Sequence, residues 1–320
     1  MKTRTWYLSE SFFPQDSFCL PGVSLTPQQV REAEAILAEA KRVFGDRVGG
    51  YRVEIDGLGA NGGRLVARGH RILTSSGPFH AVREIPNVVP LLMGSPFSYP
   101  SWLVRELLSS SLQQGGLVLI SGSAGVGKST TLAATVVSRL QTYGSIAITM
   151  EDPPEYLLQG SHGRGNCLQM PVSSPEEFPR KIMDALRCYP SGVNGMMLML
   201  SEIRNPDTAA LCLDAALSGH LVLSTIHAAS PESCVTRLAT MAGYVLGPQV
   251  ARADVTEALR LCVHQQRQGD EIIFKVLKNV QDPSVASKIR DGQFHMLAAD
   301  VQRQMAALTR LGAAHANDGA

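Results

Sequence analysis

Gly122-Ser123-Ala124-Gly125-Val126-Gly127-Lys128-Ser129 is the stretch whose reading decides the fold, and it fits the pattern G-x-x-x-x-G-K-[ST] at every position. Just upstream, Leu117, Val118, Leu119, Ile120 and Ser121 form a short run bounded by Gly115 and Gly116. That run has the composition of a parallel strand buried on both faces. Downstream, Leu132, Val136, Val137 and Leu140 recur at helical spacing. A glycine-rich loop that leaves a strand and opens a helix lets successive backbone N–H groups converge on an anion. The helix N-terminus adds partial positive charge. In this context Lys128 would reach the β- and γ-phosphates of a bound ligand and Ser129 would hold Mg2+. The cofactor-binding set is then Gly122, Ser123, Ala124, Gly125, Val126, Gly127, Lys128, Ser129 and Thr130. An ordinary Gly/Ser turn is the weaker reading, because strand and helix are both in place.

Working outward, 320 residues suffice for two domains, and 18% charged with 44% hydrophobic residues is ordinary for a folded chain. A net charge of +1 gives no bulk electrostatic case for nucleic acid or an anionic membrane. No stretch approaches about 20 uninterrupted apolar residues, and residues 1–13 lack the apolar core of a secretory signal. The cysteines Cys19, Cys167, Cys188, Cys212, Cys234 and Cys262 are scattered, with no CxxC pair. Buried thiols in a reducing compartment are expected, with neither zinc nor a disulfide framework, and hence a cytoplasmic protein.

Residues 1–24 show no clear period. Thr26, Pro27 and Gln29 make a helix start, and Val30, Ala33, Leu37, Ala40 and Phe44 form its apolar stripe up to Gly45. Tyr51, Val53 and Ile55 alternate with Arg52 and Glu54, as in a strand. Leu65–Val66 and Ile72–Leu73 suggest further short strands, separated from the first by glycine-rich turns at 57–63. Residues 1–95 therefore read as a small α+β domain, with a Pro/Gly linker to about residue 100. From 101 to 320 helix and strand alternate. Helices are expected at 102–113, 176–186, 208–217, 231–241 and 249–261, and strands at 146–150, 196–200, 221–224 and 272–276. An amphipathic helix at 298–311 and a disordered tail from 315 complete the reading. This order predicts a helix-covered parallel sheet with ligands at the carboxyl ends of its strands.

Acids and histidines fall at those ends. Glu151, Asp152 and Glu155 follow one strand and would lie beside the γ-phosphate, to orient Mg2+ or activate water. A polar turn fixed by Pro153 and Pro154 is the equal alternative. Glu202 follows the next strand, where the second Mg2+ element of such sites falls, so Ser129 and Glu202 form the candidate metal set. His220 and His227 bracket the strand at 221–224; they would sense phosphate or subunit contacts, or else be satisfied structural histidines.

Taken together the residues resemble the hexameric secretion ATPases of type II secretion, type IV pili and type IV secretion. GSAGVGKST (122–130) resembles that family's Walker A, ITMEDPPEY (148–156) its Asp box, LMLSEIRNPDT (198–208) its Walker B and GHLVLSTIHA (219–228) its His box. The resemblance covers most of residues 50–312. It implies a RecA-like P-loop NTPase domain behind a smaller N-terminal α+β, PAS-like domain. It also implies the cofactors ATP and Mg2+, a homo-hexamer, and inner-membrane platform proteins as partners, with the motor held at that membrane through them and no nucleic acid bound. Glu155 would be the glutamate that activates water, Glu202 would act through Mg2+, and His227 and His220 would contact phosphate. YRVEI (51–55) and AVREIP (81–86) resemble the family's small-domain segments and nominate Arg52 and Arg83 as arginines that reach the triphosphate. The chain departs from the family at Ser201, where glycine is usual, at Met170 and around Cys188. The four-cysteine zinc module of one subgroup is missing, and residues 285–291 resemble the tail motif of retraction ATPases, so the retraction-like branch, with its conjugation and Dot/Icm-type members, is expected. The other readings are a non-hydrolysing, nucleotide-dependent scaffold and a small-molecule phosphotransferase.

Overall fold

The computed structural model describes residues 4–20, 24–59, 63–86, 88–94, 99–152, 154–172, 174–190, 195–269 and 271–317. The chain divides into two units, Met1–Val88 with Glu155–Leu157, and Val89–Pro154 with Leu158–Ala320. Part of the expected linker and of the 57–63 turn lies outside the described residues.

Among the described residues the small unit is one antiparallel sheet with one helix. Its strands are β1 (Thr5–Ser9), β2 (Phe18–Leu20), β3 (Gly49–Ile55), β4 (Leu65–Thr74) and β5 (Gly77–Glu84), in the order β2-β1-β5-β4-β3. Helix α1 (Pro27–Phe44) begins where the sequence places it. Thr26 Oγ1 accepts from the Gln29 N–H, and Gln29 Oε1 accepts from the Thr26 N–H at 2.9 Å, a reciprocal cap. The helix buries Ala33, Ile36 and Ala40 with Trp6, Leu8, Val53, Leu65, Ala67 and Val82 of the sheet. β1 and β2 correct the reading of residues 1–24 as aperiodic. Along β1 the buried residues are Trp6, Leu8 and the polar Ser9, too short and too mixed a stretch for alternation to register. The two short strands expected at 65–66 and 72–73 are the ends of the single strand β4.

A polar chain runs through this unit. Arg71 Nη2 donates to Glu10 Oε2 at 3.3 Å, His80 Nε2 faces Glu10 Oε1 at 2.6 Å, and the Tyr51 hydroxyl faces His80 Nδ1. With Nε2–H donating to the carboxylate, Nδ1 is left to accept from Tyr51, so these partners fit a neutral imidazole. Arg71 holds the Glu10 carboxyl below its ordinary value, whereas burial pushes His80 down.

The large unit is built on an eight-stranded sheet. Its strands are β6 (Gly116–Gly122), β7 (Ser145–Glu151), β8 (Gly160–His162), β9 (Gly165–Pro171), β10 (Met197–Leu200), β11 (Leu221–Ile226), β12 (Leu259–Gln268) and β13 (Glu271–Lys278). The order is β13-β12-β6-β11-β10-β7-β9-β8. The six strands from β12 to β9 pair in parallel, while β13 and β8 close the edges antiparallel. The expectation of a parallel sheet is thus corrected at its two edges. Helices are α2 (Ser101–Leu107), α3 (Lys128–Tyr143), α4 (Phe178–Cys188), α5 (Pro206–Leu217), α6 (Pro231–Leu246), α7 (Pro248–Ala258), α8 (Pro283–Arg290) and α9 (Leu297–Asn317). α2 stops short of the expected 113, and a 3-10 turn covers Ser110–Gln114. α9 continues as helix through 315–317, where a disordered tail was expected; residues 318–320 lie outside the described residues.

Of the further strands that the sequence reading does not reach, β5, β8, β9 and β12, the last two are hidden for physical reasons. β12 was absorbed into the helix expected at 249–261, because its apolar half continues the α7 stripe and its other half carries His264 and Gln265, polar yet buried. β9 alternates buried Gly165 and Cys167 with exposed Asn166 and Leu168, a pattern too weak to stand out. The central strands were plain: Leu117, Val118, Leu119 and Ile120 are fully buried, as are Leu198, Leu200, Val222 and Leu223. Full burial of such a side chain contributes about 1.5–3 kcal/mol. Among the described residues no helix is long and apolar enough to cross a membrane.

Candidate functional site

β6 ends at Gly122 and α3 starts at Lys128, so the glycine loop joins a central strand to a helix N-terminus. Gly122, Gly125 and Gly127 all have positive φ, of 145°, 74° and 98°. At Gly127, which precedes the first helical turn, the left-handed conformation is one that glycine adopts most readily. At Gly122 a Cβ would lie 2.3 Å from the backbone oxygen of Gln265 in β12. Sterics therefore fix the glycines. Ser123, Ala124 and Gly125 are exposed at the loop tip, whereas Val126 is buried and anchors the loop. An open tip with a left-handed backbone and an adjacent helix N-terminus fits a polyphosphate.

Lys128 is 8% exposed. Its ammonium donates to the Gly122 carbonyl at 3.1 Å and the Ser123 carbonyl at 2.9 Å, and faces His227 Nδ1 at 3.4 Å. His227 follows β11; its Nε2 lies 3.4 Å from Glu202 Oε1. Glu202, in the turn after β10, also accepts from Arg204 Nε at 3.0 Å. With Nδ1 accepting from an ammonium, the ring proton sits on Nε2 and faces Glu202. Three neighbouring strand ends thus bring Lys128, His227 and Glu202 into one connected chain. Burial lowers the Lys128 pKa, and the Glu202 charge works against that shift. Ser129 and Thr130, in the first turn of α3, are half-buried. The Glu202 side chain is 13% exposed, its two oxygens facing His227 and Arg204, and Ser129 with Glu202 offers the oxygen donors that Mg2+ prefers. A bound MgATP would supply the electrophilic phosphorus and its own neutralising metal, as in other P-loop sites.

The other nominated residues are placed differently. His220 precedes β11 at its opposite end, seven residues from His227, roughly 23 Å at strand rise. Its ring packs on Tyr189 at 5.0 Å and burial lowers its pKa. That position, at the end of β11 away from the glycine loop, is at odds with the expectation that it contacts the phosphate held there. Glu151 is buried at the end of β7 and accepts from Gln169 Nε2 at 2.8 Å, so it faces the protein rather than a ligand. Asp152 follows it, half-buried. Glu155 belongs to the small unit, where Arg68 Nη1 reaches its carboxylate at 2.8 Å.

Arg52 and Arg83 share a face of the small sheet, with Arg68 between them. β3 sets Arg52 opposite Arg68 of β4, and β4 sets Arg68 opposite Arg83 of β5. Directly opposed residues point to the same side, and like charges so placed repel. Glu54 meets Arg52 at 2.7 Å and Glu155 meets Arg68. Sequence reading missed Arg68, because the row exists only once the three strands are in register. It missed Arg204 as well, although a base two residues after Glu202 could have been noticed.

The strand order and the loop together define a RecA-like P-loop α/β fold beside a small α+β unit. A model of the type II/IV secretion system protein family matches residues 102–267. The uncharacterized protein YggR of Escherichia coli (strain K12) is 32% identical over 249 residues, which cover 73% of this chain and 69% of that one. The chain belongs to the type II/IV secretion system protein family. By contrast, it spans 29% of a putative type II secretion system protein E of Escherichia coli (strain K12), with 37% identity over 155 residues. Two solved structures share its fold. The pilus retraction motor PilT with bound ADP superposes with a TM-score of 0.68 at 20% identity, covering 94% of this chain and 86% of that one. The ATPase DotB of Legionella pneumophila gives 0.66 at 20% identity, covering 92% and 83%.

Proposed function

We propose that this protein hydrolyses ATP to ADP and phosphate with Mg2+, and works as a homo-hexameric motor of a pilus or type IV secretion machine. The observation that carries the reading is the Lys128–His227–Glu202 chain at the head of three adjacent parallel strands, beside an exposed loop of left-handed glycines. The ammonium would be drawn to the triphosphate. Glu202 would act through Mg2+ and His227 would relay the state of the phosphate between them. Glu155 is assigned the activation of water. The Arg52–Arg68–Arg83 row is assigned the neutralisation of triphosphate charge from a neighbouring subunit, with domain closure as the working stroke. The motor would act in the cytoplasm against inner-membrane platform proteins, on the retraction-like branch that the PilT and DotB folds support. The test is phosphate release by the purified protein together with particle mass with and without a non-hydrolysable ATP analogue. Turnover that Lys128→Ala abolishes, and a mass of six chains with the analogue, support the proposal. Undiminished turnover in that variant refutes the site, and a monomer under both conditions refutes the ring.

A further inference from the structure

Gln265 is 1% exposed, and neither its Nε2 nor its Oε1 has a hydrogen-bond partner among the described residues. The ladders fix its face. It stands level with Gly122 of β6 and opposite Phe274 of β13, whereas its neighbour His264 turns the other way to meet Ser121 Oγ at 3.1 Å. The Phe274 ring lies 5.9 Å from that of Tyr99, whose hydroxyl accepts from Thr131 Oγ1 of α3 at 3.3 Å. Ile272, on the same face as Phe274, comes within 3.7 Å of a Cβ built at Gly127. The Gln265 amide therefore stands on the face of the sheet that carries the glycine loop and the first turn of α3.

A buried amide with both ends unpaired is costly. At Gly122, the residue level with Gln265, and at Ser123, Lys128 supplies the hydrogen bonds to the backbone carbonyls. A triphosphate would draw that ammonium away and leave two carbonyls short of a donor. Resting on the ATP reading above, we propose that Gln265 is a positioning residue of the loop: its Nε2–H takes over a carbonyl that Lys128 gives up on engaging phosphate. Strand β12 thereby responds to occupancy of the loop, and part of the affinity for ATP comes from satisfying a group that is unpaired without it.

The experiment compares Gln265→Met and Gln265→Leu, near-isosteric and apolar, with the wild-type full chain. Thermal unfolding of the protein alone is measured first, then with saturating non-hydrolysable ATP analogue and Mg2+, then KM and kcat. Both variants should melt roughly 2–4 °C higher than wild type when alone. They should bind the analogue roughly fivefold to tenfold more weakly and raise KM similarly, with kcat within about twofold. A lower melting temperature of the protein alone in either variant, or unchanged affinity in both, overturns the proposal. A wild type that binds the analogue while both variants bind it equally well defeats the role of Gln265 alone. A wild type without any response to the analogue defeats the ATP reading, and the role of Gln265 with it.

Discussion

The two units assemble charge in opposite ways. In the large unit, Lys128, His227 and Glu202 sit at the ends of buried parallel strands, and their positions follow from backbone that has no room to move. In the small unit, Arg52, Arg68 and Arg83 lie across three antiparallel strands, and only the register of the ladder brings them together. The first arrangement costs main-chain strain, which glycine absorbs. The second costs like-charge repulsion, which Glu54 and Glu155 offset. A strand-end site concentrates dipoles and a few fixed side chains on one point, whereas a sheet face spreads cationic charge over an area. The first suits gripping a ligand, the second meeting one that arrives from outside.

The contrast breaks most simply at Lys128. Lys128→Ala should lower phosphate release by about 10²–10³-fold or more in a steady-state assay while the far-UV spectrum stays unchanged. Glu202→Gln should lose about 10²-fold with ATP affinity largely kept; a parallel loss of affinity would mean that Glu202 holds the ground state instead. On the small unit, Arg68→Ala and Arg83→Ala should each cost about tenfold or more in turnover. Neither should change affinity by more than about twofold, and Arg83→Ala should leave stability unchanged or up to about 0.5 kcal/mol higher as repulsion is relieved. A clear drop in stability for Arg83→Ala would show that the row is structural.

Backbone strain gives a smaller, purely structural contrast. Gly122→Ala drives a Cβ against the Gln265 carbonyl and should destabilise by about 2–4 kcal/mol in denaturant melts. Gly125→Ala meets nothing within 4 Å and should cost about 1–2 kcal/mol from φ alone. Equal losses in the two variants would mean that the contact at 122 relaxes.

Acid should separate the units least strongly. Burial depresses His80, so the folded chain keeps it neutral while the unfolded chain takes up a proton below about 6.5. That contribution is present above the ordinary histidine value and fades as pH falls toward the folded one. Glu10, held down by Arg71, contributes above the ordinary carboxylate value and is lost only in stronger acid. The melting temperature should therefore be about 2–4 °C lower at pH 5.5 than at pH 7.5, and His80→Gln should shrink that difference. An undiminished difference would assign it to His264 or His220, which burial also lowers.

What was legible in the sequence follows the same division. The loop, the strand before it and the helix after it were readable because glycine, apolar run and helical period are local signals. Glu202 and His227 were readable as the polar residues that end apolar strands. For His220 composition was not enough, because it marks both ends of a strand alike, and only topology says which end faces the loop. Arg68 and Gln265 were invisible for a shared reason: their meaning lies in the neighbouring strand, Arg52 and Arg83 for one, Gly122 and Phe274 for the other. β12 was hidden by two buried polar residues, which break the pattern that burial normally writes.

The most direct measurement is calorimetric titration of MgATP analogue into wild type and Lys128→Ala. Gripping of a triphosphate by the 122–129 loop predicts saturable binding to the wild type that weakens at least tenfold in the variant, with stability retained. Equal affinity in the two proteins, or no binding heat to a folded wild type, would contradict it.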